Sequence, residues 1–159
     1  SDVCSSDLGA GSNVLGCEIG FAELLRAKQI VKMPRIFAAQ PANCGPIAAA
    51  HAGETAPPVQ PTIAEGTAIA KPIRLPEVLH ALRSTGGGAV RLTEDEIAAA
   101  TLQLAGMGLF VEPTSAQAAA AFGKLLASGA IAPNETTVLV LTGSGLKATA
   151  RIEELLSAR

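Results

Sequence analysis

The chain has 159 residues, of which 48% are hydrophobic and 16% are charged, and its formal net charge at pH 7 is −2. This composition is typical of a globular protein with an ordinary core, and it excludes a disordered chain. The chain lacks clustered lysine and arginine residues and has few aromatic rings, so we expect no nucleic-acid partner. Polar residues interrupt every apolar run, and the three cysteines are widely spaced. We therefore expect a reduced, cytoplasmic protein with no membrane contact and no metal site.

The first eight residues, Ser1–Leu8, match neither a helical nor a strand period. They directly precede a glycine-rich loop, Gly9-Ala-Gly-Ser-Asn13, and we predict no strand before that loop, although such loops normally follow one. The octapeptide resembles the translation of a common sequencing adapter, and the alternative is a disordered native N-terminus. We predict that residues 1–8 are a non-native or adapter-derived leader, and that residues 9–159 belong to a longer enzyme.

Beyond the loop, helical and strand patterns alternate, which predicts an α/β fold: a three-layer parallel sheet with helices on both faces. A capping box at Thr93–Glu96 opens one helix, and Pro113 suits the first turn of another. Four apolar residues, Val138–Leu141, predict a short buried strand that ends at Thr142. The predicted order is a helix to Lys28, a strand at Arg35–Gln40, a short helix at Ile47–His51, a surface connection at Gly53–Pro61, a helix at Pro76–Ser84, a strand around Ala89–Leu92, helices to about Ala105 and Leu126, and a last strand and helix ending at Arg159.

Two segments have the chemistry of a ligand site. In the loop Gly9–Asn13, small residues let backbone N–H groups approach an oxyanion, Ser12 and Asn13 add donors, and the following helix adds a favourable field. Thr142 places a hydroxyl beside glycines at the carboxyl end of a strand, where open α/β sheets bind ligands. The alternatives are a plain turn for the loop and a hydroxyl bonded to local backbone for Thr142.

These motifs, in this order, resemble the threonine synthase branch of the fold-type-II pyridoxal-phosphate enzymes. The resemblance extends over nearly all of residues 9–159. It is carried by the loop Gly9-Ala-Gly-Ser-Asn13, the helix Gly20-Phe-Ala-Glu-Leu-Leu25, the strand Pro34-Arg-Ile-Phe-Ala-Ala-Gln40, and the turns Thr62-Ile-Ala-Glu-Gly66, Val111-Glu-Pro-Thr-Ser-Ala116 and Leu141-Thr-Gly-Ser-Gly-Leu-Lys147.

The resemblance implies that residues 9–159 are the C-terminal part of the large cofactor-binding domain, with a tryptophan synthase β-like fold. It also implies that the chain binds pyridoxal 5′-phosphate. Backbone at Gly9, Ala10, Gly11, Ser12 and Asn13 would hold the phosphate, Glu65 and Gly66 would border the cofactor, Glu112 would lie near its ring, and Thr142 would face the pyridine nitrogen. From the residues alone, Glu65 and Glu112 could equally be solvated carboxylates, the latter placed to suit a helix N-terminus.

No catalytic residue is predicted within the chain. The family's Schiff-base lysine lies upstream in a Ser-x-Lys context that none of the five lysines here has, so we expect no turnover from this chain alone. The resemblance implies an amino-acid or phosphorylated amino-acid substrate, with O-phosphohomoserine converted to threonine and phosphate, and a homodimeric parent. The alternatives are a threonine/serine dehydratase or related ammonia-lyase, and a non-catalytic α/β module that binds a phosphorylated ligand.

Overall fold

The structure, a computed structural model, describes residues 2–7 and 9–157. Strands and helices alternate through this part of the chain, as the sequence predicts. Short 3₁₀ turns at Ala42–Cys44, Glu65–Thr67 and Gly145–Ala148 join some of them. The elements are β1 (Val3–Asp7), α1 (Ser12–Arg26), β2 (Arg35–Pro41), α2 (Pro46–His51), α3 (Leu75–Ser84), β3 (Gly88–Leu92), α4 (Glu94–Gly106), α5 (Pro113–Ala127), β4 (Thr137–Val140) and α6 (Thr149–Ser157).

The described strands form one sheet in the order β3-β2-β1-β4, and every neighbouring pair is parallel. Parallel strands end at the same edge of a sheet, and ligands of open α/β sheets bind there. The segments that follow β1 and β4 therefore leave the sheet side by side, because these two strands are neighbours.

Helices cover both faces of the sheet, which confirms the predicted three-layer architecture. Along β2, Ile36 and Ala38 pack in a cluster with residues of α1, α2 and α3. Phe37 and Ala39 point to the opposite face, where they meet residues of α4 and α5. The core side chains that these strand residues contact include Val14, Ile47, Val78 and Leu82 on the first face and Ile97, Ala121 and Leu125 on the second.

A strand precedes the glycine-rich loop, so the prediction of no strand there is wrong. Residues Val3–Asp7 form β1, which lies between β2 and β4, and Val3 is fully buried. Parallel pairing is made by backbone groups, so polar residues such as Ser5 and Ser6 do not prevent it. The identification of residues 1–8 as a non-native leader stays a prediction, and Ser1 and Leu8 lie outside the described residues.

The last strand is less buried than its apolar sequence predicts. Strand β4 lies at the edge of the described sheet and pairs only with β1 there, and Val138 is 45% exposed. The strand also stops at Val140, so Thr142 lies in the segment beyond it. A run of apolar residues indicates a strand but does not distinguish an edge position from a central one.

The predicted capping box at the start of α4 is present and is tied to a second helix. The Thr93 side chain accepts a hydrogen bond from the Glu96 N–H at 3.2 Å, and the Glu96 carboxylate accepts one from the Thr93 N–H at 2.8 Å. Lys124 on α5 donates to the same carboxylate at 2.9 Å and to the Arg91 carbonyl at 3.0 Å. The two helices behind the sheet are therefore joined at this point.

We expect Thr93→Ala to lower the free energy of unfolding by about 1 kcal/mol, because the Glu96 N–H loses its acceptor. Urea denaturation of the purified chain measures this change. Thr55→Ala is the matched control, since Thr55 lies in the exposed connection after α2. Equal effects of the two substitutions would show that the cap contributes nothing.

The same carboxylate predicts a pH dependence. Burial raises the pKa of Glu96, but hydrogen bonds from the Thr93 N–H and the Lys124 ammonium outweigh it and lower the pKa below its usual value. Because the folded pKa is lowered, this stabilisation is present above the unfolded pKa of about 4.3 and is lost as pH falls through the folded pKa. Glu96→Gln should therefore reduce stability at pH 7, by about 1 kcal/mol or less since the carboxylate is partly exposed, and the difference should shrink in acid. Glu23→Gln, which removes an exposed carboxylate of α1 and leaves the capping box intact, is the matched control.

Candidate cofactor site

The loop between β1 and α1 presents the N-terminus of α1 at the carboxyl edge of the sheet. Gly11, the residue before the helix, has a φ of 88°, a left-handed conformation that suits glycine. Its carbonyl accepts the first helical hydrogen bond from the Leu15 N–H at 3.1 Å. The N–H groups of the first turn have no acceptor within the helix and carry its positive end, so an anion is favoured there.

Two glycines from distant parts of the chain meet beside this loop. A Cβ atom on Gly9 would lie 3.1 Å from the Gly66 carbonyl oxygen, and one on Gly66 would lie 3.0 Å from the Thr114 methyl group. A side chain at either position would therefore force its neighbours apart. The loop Gly9–Asn13 and Gly66 together line a cavity of about 200 Å³, which we call the loop cavity.

The turn that carries Gly66 is held by two side chains of α5. The Gly66 N–H donates to the Thr114 hydroxyl at 3.1 Å, and the Gln117 amide donates to the Thr67 hydroxyl at 2.9 Å. Thr67 and Gln117 are fully or almost fully buried. Helix α5 thus fixes the distance between this turn and the sheet.

The two predicted glutamates differ in exposure. The Glu65 side chain is 81% exposed and lies 3.9 Å from Arg151, an ion pair too exposed to contribute much stability. Glu112 is half-buried, precedes α5 without capping it, and lies against Gly143, where its carboxylate fills the space of a Cβ atom. Both glutamates and Gly66 line a second cavity of about 380 Å³.

Thr142 lies next to a buried hydroxyl. The oxygen atoms of the Thr142 and Ser115 hydroxyls are 3.1 Å apart, and Ser115 also accepts a hydrogen bond from the Gly143 N–H at 2.6 Å. Ser115 is fully buried in the first turn of α5. Helix α5 therefore contacts Thr142 through Ser115 and also holds the Gly66 turn through Thr114.

Backbone pairing strengthens this attachment. The Glu112 N–H donates to the Gly143 carbonyl at 3.2 Å, and the Gly145 N–H donates to the Phe110 carbonyl at 3.0 Å. Val111 and Ser144 form an antiparallel bridge between them. The segments 110–112 and 143–145 behave as a short two-stranded unit.

The predicted residues gather at one edge of the sheet in three groups. The loop Gly9–Asn13 and Gly66 line the loop cavity, whereas Glu65, Gly66 and Glu112 line the second cavity, so Gly66 borders both. Thr142 lines neither cavity. It follows β4 directly, and the neighbouring strand β1 leads into the loop, so both segments leave adjacent strands.

Thr114 and Ser115 lie in the turn Val111–Ala116 that carries the resemblance, but the sequence analysis gave neither residue a role in the site. Both lie in the first turn of the helix that starts at Pro113, directly after Glu112. The signal was present in the sequence, because a proline at the start of a helix places the next residues in its first turn, close to whatever the preceding carboxylate contacts.

The residues excluded as ligands occupy ordinary positions. Cys17 and Cys44 are free thiols, and burial raises the pKa of Cys44. No group of three or more His, Cys, Asp or Glu side chains suited to a metal ion occurs in residues 2–7 and 9–157. No helix within that part of the chain is long and apolar enough to cross a membrane.

Comparisons with known proteins identify the family of this chain. Residues 1–143 match the sequence profile of the family described as pyridoxal-phosphate dependent enzyme. Threonine synthase from Methanocaldococcus jannaschii is 36% identical over 145 residues, which cover 88% of this chain but only 36% of the relative. Solved structures share the fold. Threonine synthase from Escherichia coli has a TM-score of 0.71 and 21% identity, and the match covers 98% of this chain and 36% of that one. The processed form of threonine deaminase isoform 2 from Solanum lycopersicum has a TM-score of 0.73 and 19% identity, and the match covers 99% of this chain and 42% of that one. This chain therefore belongs to the family of pyridoxal-phosphate dependent enzymes.

Proposed function

We propose that this chain is the C-terminal part of the cofactor domain of a lyase that converts O-phosphohomoserine to threonine and phosphate. The observation that carries the proposal is the loop cavity, formed where two glycines meet at the N-terminus of α1. The 36% identity to a threonine synthase supports the choice of substrate. The chain spans about a third of the length of that relative.

The loop cavity fits a phosphate group. Backbone N–H groups in the first turn of α1 would supply donors, Ser12 and Asn13 line the cavity with polar side chains, and the helix end favours negative charge. A Cβ atom on Gly9 would crowd the Gly66 carbonyl oxygen, and without side chains at these two positions the backbone itself can approach the ligand. These residues would hold the phosphate of pyridoxal 5′-phosphate.

The ring side of the site would be formed by Thr142, Glu112 and the backbone of Glu65 and Gly66. Bound pyridoxal phosphate supplies an electron sink for negative charge that develops on an amino-acid substrate. Thr142 is a neutral hydroxyl, so it would leave the pyridine nitrogen unprotonated or share a proton with it. A carboxylate in the same place would instead keep that nitrogen protonated.

The chain alone is proposed to be inactive. Lys147 borders the second cavity, but it follows Thr142 in the turn and has no Ser-x-Lys context. Lys124 is engaged by Glu96 on the far side of α5. We propose that the lysine needed for proton transfer comes from the rest of a homodimeric, cytoplasmic parent enzyme.

We expect Gly11→Ala to weaken binding of pyridoxal 5′-phosphate and of inorganic phosphate to the purified chain by roughly tenfold, because alanine is strained at positive φ and the loop must shift. Calorimetric titration measures both affinities. Gly129→Ala is the matched control: Gly129 also has a positive φ, of 71°, but it follows the C-terminus of α5, away from the loop. A comparable loss of affinity in both variants would show that the stability of the chain, and not the shape of the loop cavity, determines binding.

The activity of the full-length gene product that contains these residues distinguishes the candidate reactions. We expect phosphate release from O-phosphohomoserine, with no turnover by the 159-residue chain alone. Formation of 2-oxobutyrate from threonine would instead indicate a dehydratase. If the gene product catalyses neither reaction and binds ATP or NAD in preference to pyridoxal phosphate, it is a binding module, and the proposal is contradicted.

A further inference from the structure

Ser115 is a buried polar residue whose side chain hydrogen-bonds both to Thr142 and to the neighbouring Gly143 N–H. Its side chain is fully buried, and its oxygen accepts the Gly143 N–H at 2.6 Å. The same oxygen lies 3.1 Å from the Thr142 hydroxyl. None of the roles proposed above, whether for the phosphate, the glutamates or the ring partner, uses this residue.

The hydrogen-bonding capacity of a serine limits what these contacts can do. A hydroxyl has one proton to donate and two lone pairs to accept with. The Gly143 N–H occupies one acceptor position on Ser115, and α5 fixes the serine backbone. The oxygen of Ser115 is thus held at a defined point, within hydrogen-bonding distance of a threonine that is itself exposed to solvent.

We propose that Ser115 is a positioning residue that orients the Thr142 hydroxyl toward the pyridine nitrogen of the cofactor. The Gly143 N–H donates to Ser115, and the Ser115 and Thr142 hydroxyls share a hydrogen bond. With the cofactor bound, Ser115 would donate to Thr142, and Thr142 would donate to the ring nitrogen. Each bond in such a series polarises the next, so the series favours Thr142 as a donor. This inference rests on the proposed function, because it needs the ring to lie at Thr142.

A comparison of two ligands tests this role. The purified chain and the variants Ser115→Ala, Thr142→Val and the double variant are titrated with pyridoxal 5′-phosphate and, separately, with inorganic phosphate. Both single variants should bind pyridoxal phosphate about five- to tenfold more weakly, as expected for the loss of one hydrogen bond, and phosphate within twofold of the unmodified chain. The double variant should be no weaker than Thr142→Val alone, since Ser115 acts through Thr142.

Several results would overturn the proposal. An equal loss of phosphate affinity in Ser115→Ala would show a general structural effect, and an unchanged effect of that substitution in the Thr142→Val background would show that it acts independently of Thr142. Failure of the unmodified chain to prefer pyridoxal phosphate over phosphate would contradict the proposed function itself, a result distinguishable from the other two.

Control variants separate positioning from stability. Ser115→Thr keeps the hydroxyl, so this variant should bind pyridoxal phosphate with the affinity of the unmodified chain. The near-ultraviolet absorbance maximum of its bound ligand should also match that of the unmodified chain. Thr101→Val removes another buried hydroxyl, one that donates to the Ile97 carbonyl within α4, and should leave both affinities unchanged. If Ser115→Ala does not fold, Ser115→Cys makes the same comparison with a poorer acceptor of similar size.

Discussion

Strand β1 pairs on one side with β2 and on the other with β4, and this double pairing determines where every part of the site lies. Without it, β4 would have no strand neighbour among the described residues. The glycine-rich loop would also lose the strand that aims it at the start of α1. The position of the loop cavity relative to Thr142 is therefore determined by the order of the strands and not by local sequence.

Helix α5 then connects the parts of the site that the sheet places near one another. Consecutive residues of its first turn contact the two sides: Thr114 holds the turn of Gly66, and Ser115 holds the backbone of Gly143. A rigid helix transmits position in a way that two independent loops cannot. A change in the tilt of α5 would shift the Gly66 turn and the segment that carries Gly143 together.

Local chemistry explains which features could be predicted from the sequence. The capping box at Thr93 and Glu96 and the helix start at Pro113 depend on near neighbours in the chain, so their residues alone were sufficient. That the predicted residues lie near one another was implied by the family resemblance and not by the alternation of strands and helices, because no strand was predicted before the loop. Strand β1, the edge position of β4, and the contacts of Ser115 depend on residues far away in sequence, and no local pattern of polarity encodes them.

The contact between Gly9 and Gly66 has a consequence for folding. The two glycines are widely separated in the chain, so they meet only after the intervening helices and strands have docked, and closing so long a segment carries an entropic cost. The loop cavity therefore does not exist in partly folded chains. A ligand that binds it selects the completed fold and stabilises it by mass action, so anion binding reports that folding has finished.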